Sequence, residues 1–379
     1  MDLRARLASV FADAIAACDP AAAVRSALAG RALVGPVTAI AIGKAAPAMA
    51  AGAAAALGPA LVDALVIHPD GAAVPAALAR FDVRAAAHPV PDARSEAAGR
   101  AALAIAAGVT ADATLLVLIS GGASALAAVP TPGLTLAAKV AAVQAVARGG
   151  APIAALNAAR AARSAIKGGR LAAACPGRVL TLVVSDVPGD DVAVVGSGPT
   201  VPARPGDEVV LVSGLASLRR AAARAAGPTA ALDDRDLCGD VAEVAAALRD
   251  AAARLAPGGT WIGGGEWTVR LAGRVGRGGR ASELALRCAR WLAGGDAVVL
   301  VGASDGVDGT GPDAGAIVDG SSWARAEARG LDPAAALAAH DSGAVLAAIG
   351  DAITTGPTGI NHADLVVIAR PAAVVREGP

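Results

Sequence analysis

Seven short runs, Val37–Ile42, Ala64–Ile67, Leu115–Ile119, Leu180–Ser185, Val209–Val212, Ala297–Val301 and Leu365–Ile368, are almost wholly apolar and rich in aliphatic and β-branched residues. A strand with one solvated face alternates apolar and polar residues. A strand apolar at nearly every position is covered on both faces, as in a parallel sheet flanked by helices. The segments between the runs, among them Arg94–Ala107, Leu136–Arg148 and Val241–Leu255, are helical in composition, dominated by Ala, Leu and Arg. Strand-helix alternation of this kind predicts an α/β layer fold. At 379 residues the chain is long enough for two domains. The predicted boundary is Pro257-Gly258-Gly259, which punctuates the end of a helix and separates residues 1–256 from 257–379.

Charge and hydropathy exclude several classes. Lys+Arg and Asp+Glu are equal at 33 each, so no net field recruits nucleic acid or an anionic membrane. Mean hydropathy is +0.55, and the uncharged window that most suggests a membrane span, Ala45–Val62, is mostly Ala broken by Gly and Pro. It lacks the Leu, Ile and Phe that drive insertion and reads as a helix ended by Gly58-Pro59. Asp13 interrupts the apolar stretch after Arg4 and Arg6, which argues against a signal peptide. A soluble cytoplasmic protein, monomer or homodimer, is expected. The four cysteines form no CxxC pair, and His68, His88, His340 and His362 have no metal-ligand spacing. Structural or supporting roles are expected for the histidines.

Only three basic residues are lysines: Lys44, Lys139 and Lys167. Where arginine is the default cation, a retained lysine marks a place that wants a compact ammonium. Lys139 lies mid-helix and reads as a solvated surface cation. Lys44 sits in Ile42-Gly43-Lys44-Ala45-Ala46, a strand-to-helix junction suited to an anion. It is not a Walker A loop, since Thr38 and Ala45 occupy the required Gly and Ser/Thr positions. Ser120-Gly121-Gly122-Ala123-Ser124 ends the third run and reads as an N–H nest for phosphate, with Leu126 excluding a GxSxG elbow. Lys167 and Arg170 surround a glycine pair.

Two acidic strand ends follow. Asp186, Asp190 and Asp191 lie within six residues after Leu180–Ser185 and read either as Mg²⁺ ligands or as a solvated acidic turn. Gly196-Ser197-Gly198-Pro199-Thr200 is a further rigid turn. In the second half, Gly263-Gly264-Gly265-Glu266 precedes the run Thr268–Leu271. Gly276-x-Gly278-x-x-Ala281 then matches a dinucleotide fingerprint, with Asp305 where a ribose ligand would lie. The competing reading uses Arg277 and Arg280 to clamp a phosphoryl group. Asp305 belongs to the second acidic strand end, and Asn361 to a hydroxyl- and amide-rich turn suited to a polar pocket.

The ordered set IGKAAPAM, AHPVPD, SGGASAL, SAIKGGRLA, SDVPGDD, GSGPT, GGEWTV, GRGGRASELAL, SDGVDGTGPDAGA and TGPTGIN resembles the class II glycerate 2-kinases, from about Ile42 to about Asp364. The resemblance implies a glycerate kinase N-terminal domain, here residues 1–256, with a Rossmann-like parallel sheet and flanking helices. A smaller MOFRL-type α/β domain, residues 257–379, would follow, with the active site in the cleft between them. It implies ATP- and Mg²⁺-dependent phosphorylation of D-glycerate at its 2-hydroxyl, although members often carry the name hydroxypyruvate reductase. The catalytic lysine and arginine of the family fall on Lys44 and Arg280. The usual GGRNQE, GTDG and TGPTGTN are altered here at Ala281, Ser282, Ala303, Ser304 and Ile360, removing two amides and a hydroxyl.

Phosphoryl transfer asks a protein chiefly for positioning and charge neutralisation. The expected set is Lys44, Lys167, Arg277 and Arg280 as cations, Ser120, Gly121, Gly122 and Ser124 as the phosphate cradle, and Asp186 and Asp190 on Mg²⁺. Glu266, Asp305 and Asn361 are expected around the substrate, with Arg280 or Arg170 on its carboxylate. The alternatives are an NAD(P)H-dependent hydroxypyruvate reductase using Gly276–Ala281 and a nucleotide-binding module without turnover.

Overall fold

A computed structural model describes residues 2–148, 153–271, 273 and 275–373. The chain divides into two compact units, Asp19–Gly214 and Met1–Cys18 together with Leu215–Pro379. Helix α1 (Leu3–Ala17) therefore opens the chain but belongs to the second unit.

The unit Asp19–Gly214 begins with α2 (Pro20–Leu28), started by the Asp19 carboxylate, which accepts from Ala21 N and Ala22 N, and by Pro20 in the first turn. Then come β1 (Val37–Ile42), α3 (Ala46–Leu57), β2 (Leu61–Pro69), β3 (Asp82–Ala86), α4 (Ala93–Gly108) and β4 (Thr114–Ile119). An Asp92/Ser95 capping box starts α4. The short α5 (Ala123–Leu126), α6 (Leu136–Arg148), α7 (Ile153–Ala162) and α8 (Arg170–Ala173) lead to β5 (Arg178–Val184) and β6 (Glu208–Ser213). The six strands lie in the order β3-β2-β1-β4-β5-β6, and every pairing is parallel.

Both faces of this sheet are buried, as the apolar runs predict. Ile40, Ile42, Leu115, Val117 and Ile119 pack with Ala98, Ala102 and Ala106 of α4 on one face. Their neighbours Ala39, Ala41, Leu116 and Leu118 pack with Met49, Ala50 and Ala53 of α3 on the other. Ala45–Val62 accordingly contains a buried core helix. Among the described residues no single helix is long and apolar enough to cross a membrane. The bent pair α1–α2 meets that test together, but its halves belong to different units, and each buries an apolar face.

The second unit adds α9 (Leu215–Ala226), β7 (Ala230–Asp240), α10 (Val241–Arg254), β8 (Thr260–Thr268), α11 (Arg280–Leu292), β9 (Val298–Ala303) and β10 (Gly315–Asp319). It ends with α12 (Ser322–Ala328), α13 (Pro333–Ala338), α14 (Ser342–Ala348), β11 (Ala352–Ile353) and β12 (Asp364–Ala369). Its sheet runs β11-β10-β9-β12-β8-β7 and is mixed: β7 and β8 are parallel, and the other pairings are antiparallel.

Two sequence expectations change here. The compact units meet at Gly214/Leu215, not at 256/257. A cut at 256/257 would divide β7-α10-β8, a parallel pair joined by its crossover helix. Gly263–Gly265 is not a turn before a strand but the middle of β8, paired with β12 on one side and, at Gly264 and Gly265, with β7 on the other. A Cβ on Gly265 would lie 2.0 Å from Leu237 O, so glycine is what lets β7 approach.

Helix α1 is tied to this unit by Leu7, Val10 and Phe11, which pack with Leu300 and Leu365. Gly302 leaves room for the Phe11 ring, which would lie 2.6 Å from a Cβ there. All four tryptophans (Trp261, Trp267, Trp291 and Trp323) lie in the same unit, so their fluorescence reports on it. Phe11→Ala is expected to destabilise that unit by about 3–5 kcal/mol, read as a lower urea midpoint of the tryptophan transition. An unchanged midpoint would place α1 elsewhere.

Candidate functional site

In an open parallel sheet the chain creates a crevice where the strand order reverses, outside the carboxyl ends of two neighbouring strands. Here those strands are β1 and β4. Their loops are bonded together: Ser120 N donates to Ile42 O, Lys44 N to Gly121 O, and Ala45 N to Ser120 Oγ, at 3.0, 2.8 and 3.0 Å. Gly43 has φ +139°, and a Cβ on it would lie 2.1 Å from Ser120 Oγ. No other residue fits.

Lys44 extends from this junction as an exposed side chain. The Cβ direction of Gly122 points at two groups, 3.0 Å from the His88 ring and 3.4 Å from Lys44 Cγ. His88, two residues past the end of β3, thus joins Lys44 over the glycine loop. Burial, followed by the charge of Lys44, lowers the His88 pKa and so favours the neutral imidazole. The amides at the start of α3 are largely committed: Ala45 N to Ser120 Oγ, Ala46 N to Gly43 O, and Pro47 has none. The positive element at this junction is the lysine ammonium.

The Asp186 carboxylate stands against Gly121, where a Cβ would lie 1.9 Å from Oδ2. Asp190 lies against Gly214 instead, its Oδ1 2.3 Å from the Cβ position. Asp191 forms a local turn by accepting from Ala193 N. The two carboxylates expected on one ion therefore face different glycines. Among the described residues no three His, Cys, Asp or Glu side chains are grouped to hold a metal. Asp186 alone suits Mg²⁺, which commonly takes one or two carboxylates and completes its shell with substrate phosphate and water.

A cavity of about 360 Å³ adjoins the glycine loop and is lined by His88, Gly122, Ser124 and Asp186 on the loop side. Lys139, Asn157, Arg160 and Lys167 line it from the helical side. Lys167 is 1% exposed, and its ammonium donates to Ser124 O, Ser124 Oγ and Gly196 O at 3.1, 2.9 and 3.1 Å. Burial, with Lys139 and Arg160 adding to it, lowers its pKa well below the usual value. Gly168 N and Gly169 N donate to Ser197 O and Gly198 O, so the KGGR and GSGPT turns form one bonded unit. Lys167 is thus the tie that holds the loops, with its three donors used. Arg170 donates to the carbonyls of Ala161 and Lys167.

Lys139 is the clearest departure from the sequence reading. It is 4% exposed rather than solvated, donates to Val129 O at 3.2 Å, and burial lowers its pKa to about 8 against the pull of Glu96. His88, Asn157 and Arg160 were not anticipated either. The rarity of lysine did flag Lys139, but Asn157 and Arg160, the polar residues of the alanine-rich α7, belong to no motif.

In the second unit a pocket of about 240 Å³ gathers Arg280, Asp305, Asp308, Asn361 and Asp364. Arg280 donates from Nε to Asp364 Oδ2 and from Nη1 to Glu266 Oε1, each at 2.5 Å. Burial opposes the Arg280 charge, yet these two carboxylates raise its pKa above the usual arginine value. Asp364 is fully buried, and desolvation pushes its pKa up to about 7 against the attraction of Arg280, with Asp308 and Glu266 adding to the rise. Arg277 pairs with Asp313 at 2.5 Å, and its amide donates to Asp341 Oδ1 at 2.7 Å. Arg280, Asp305 and Asn361 line this one pocket, with Glu266 bonded to Arg280.

The same unit bears on the dinucleotide reading. The Asp308 carboxylate accepts from Gly279 N, Ala281 N, Ser282 N and Ser282 Oγ at 3.0, 3.0, 2.7 and 2.5 Å. The N-terminus of α11 is thus filled by the protein's own anion, where a pyrophosphate would sit in the fingerprint. The residues that depart from the family pattern also turn inward. Ala281 and Ile360 are buried in apolar clusters, and Ser282 is committed to Asp308.

Residues 6–226 match the profile of DUF4147, described as a domain of unknown function, and residues 259–364 match the MOFRL family. A D-glycerate 2-kinase from Thermotoga maritima is 32% identical over 86% of this chain and 89% of its own. A protein from Agrobacterium vitis provisionally named a hydroxypyruvate reductase is 36% identical over 97% and 95%. The crystal structure of glycerate kinase from Thermotoga maritima superposes with a TM-score of 0.92, covering 97% of this chain and 99% of that one at 29% identity.

The Asp364 carboxyl binds its proton more tightly folded, at about 7, than at its ordinary value of 3.8. Its contribution to stability is thus full below that ordinary value and is lost as pH rises through 7. Asp364→Asn is expected to flatten this part of the slope of melting temperature against pH between 4 and 7, measured by calorimetry. An unchanged slope would remove Asp364 from the titration.

Proposed function

We propose that this chain, which belongs to the family joining a DUF4147 region to a MOFRL region, is a kinase that transfers the γ-phosphoryl group of ATP to the 2-hydroxyl of D-glycerate. The products are 2-phospho-D-glycerate and ADP. One observation carries the reading: an exposed lysine ammonium at the strand-order reversal, beside a glycine loop and a carboxylate. The names of the Thermotoga relatives favour it. The Asp308-filled helix terminus weighs against the reductase alternative.

In this reaction Lys44 neutralises charge on the phosphoryl oxygens, and Gly121 and Gly122 admit them close to the backbone. Mg²⁺ held by Asp186 would neutralise and orient the phosphates of ATP. Arg280 is assigned with Lys44 to the catalytic pair by the family resemblance, and Asp364 and Glu266 fix its guanidinium. Ser124 and Lys167 act through the shape of the loop. A loose transition state needs little help in deprotonating the hydroxyl. As an enzyme of ATP and a small hydroxy acid, the chain is read as a cytoplasmic monomer or homodimer.

Coupling the reaction of D-glycerate, ATP and Mg²⁺ to enolase tests the assignment, because enolase consumes 2-phosphoglycerate without an added mutase. A signal is expected. Oxidation of NADH by hydroxypyruvate with no ATP requirement would replace the kinase with the reductase. Lys44→Ala should keep the fold, checked by its melting curve, and lower kcat by about 10²–10³-fold. Lys44→Arg should not restore it, because a planar fork does not replace a compact ammonium. A near-native kcat in Lys44→Ala would overturn the role of Lys44.

A further inference from the structure

We propose that Arg160 and Asn157, with Lys139, bind the carboxylate of the acceptor in the cavity beside Gly122, and so select hydroxy acids over neutral polyols. The proposal rests on the kinase reading and names the part of the molecule that recognises the acid.

The hydrogen-bond chain across the cavity shows which groups are committed. Lys167 donates to Ser124 Oγ, Ser124 Oγ bonds Ser197 Oγ at 2.8 Å, and Ser197 Oγ donates to Asn157 Oδ1 at 3.3 Å. Arg160 Nη1 also donates to Asn157 Oδ1, at 3.1 Å. A guanidinium only donates, so this contact assigns the amide atom facing Arg160 as the oxygen and the remaining one as the nitrogen. That nitrogen, Nδ2, is buried with no hydrogen-bond partner. A buried donor without a partner is costly unless a ligand supplies the acceptor.

The charges make the same point. Lys139, Arg160 and Lys167 line one cavity, and among the described residues none of the three forms an ion pair. Burial lowers the pKa of Arg160, as it does those of Lys139 and Lys167, which marks three desolvated cations without a bound counter-ion. Lys167 has used its three donors. Arg160 uses one of its five N–H groups on Asn157, and Lys139 uses one of three on Val129 O. A carboxylate presents two oxygens in a plane, which suits a guanidinium edge and an adjacent amide N–H. The apolar walls at Val140 and Val143 strengthen such a contact by excluding water. Arg280 and Arg170, expected on the acid from sequence, are bonded to two carboxylates and two carbonyls.

Calorimetric binding of D-glycerate and of ATP, measured separately on the full-length protein, tests this without requiring turnover. Arg160→Ala is expected to weaken D-glycerate binding about 100-fold and leave ATP binding within about threefold. Asn157→Ala should weaken it about 10-fold. Wild type should prefer D-glycerate over its neutral amide, and Arg160→Ala should lose that preference. Lys139→Met should weaken D-glycerate binding yet raise the melting temperature, since it removes a buried charge while Val129 O keeps Ala165 N and Ser164 Oγ. A merely structural lysine would lower it.

Loss of ATP binding with D-glycerate binding intact in Arg160→Ala would give the cavity to the nucleotide and end the proposal. An unchanged preference for acid over amide in a folded Arg160→Ala, or in Asn157→Ala if the first variant fails to fold, would end it too. Absence of 2-phosphoglycerate from a wild type that binds D-glycerate through Arg160 would instead end the kinase reading alone.

Discussion

The loop arrangement at the sheet's carboxyl edge depends on where two adjacent strands part company. Strands β1 and β4 pair in register from Val37–Thr114 to Ile42–Ile119, and the helices that follow them then pack in opposite cores, α3 with Met49 and Ala50, α5 with Ala123 and Leu126. Because all six strands are parallel, every following loop leaves from the same edge of the sheet. That edge receives His88 after β3, Lys44 after β1, the glycine loop after β4 and Asp186 after β5. The closeness of these loops explains their composition: Gly43 and Gly121 sit where a methyl group would meet Ser120 Oγ or the Asp186 carboxylate.

Lys167 gives this edge its rigidity, and it also shows how the site manages charge. A buried ammonium bonded to a hydroxyl and two carbonyls holds three loops at the cost of desolvation. Arg160 and Lys139 nearby, after burial itself, make the Lys167 ammonium harder to keep charged. Such a cluster is unfavourable in the free protein and becomes favourable when an anion enters. Sites of this kind commonly trade stability for binding.

What was legible in the sequence follows from burial. Strands covered on both faces, such as β1, β4 and β12, are continuous apolar runs and were visible at once. The edge strand β7 carries Asp233, Asp234, Arg235 and Asp236 and reads as a loop, since an edge can leave polar side chains in water. Strand β8 hides three glycines, which resemble a turn until β7 and β12 are seen on either side of them. The site divides in the same way. Lys44, Ser120–Ser124 and Asp186 occupy strand ends, where a polar or glycine residue interrupts an apolar run. Lys139, Asn157 and Arg160 lie on helices among alanines, and helical periodicity does not say what lies opposite a polar side chain.

The two helix termini that looked most suited to phosphate share one feature. At α3 the first amides are bonded to Ser120 Oγ and Gly43 O or replaced by proline, and at α11 the Asp308 carboxylate takes three amides and a hydroxyl. Backbone dipoles that serve as anion sites in glycine-rich nucleotide folds are here turned to holding the fold together. The exposed cation at the β1–α3 junction is therefore a side chain, the compact ammonium of Lys44, and not a free helix terminus. This also explains why Ser282 and Ala281 are tolerated beside Arg280. One is bonded to Asp308, the other is buried in the core, and the guanidinium between them and the strand end keeps its two carboxylates.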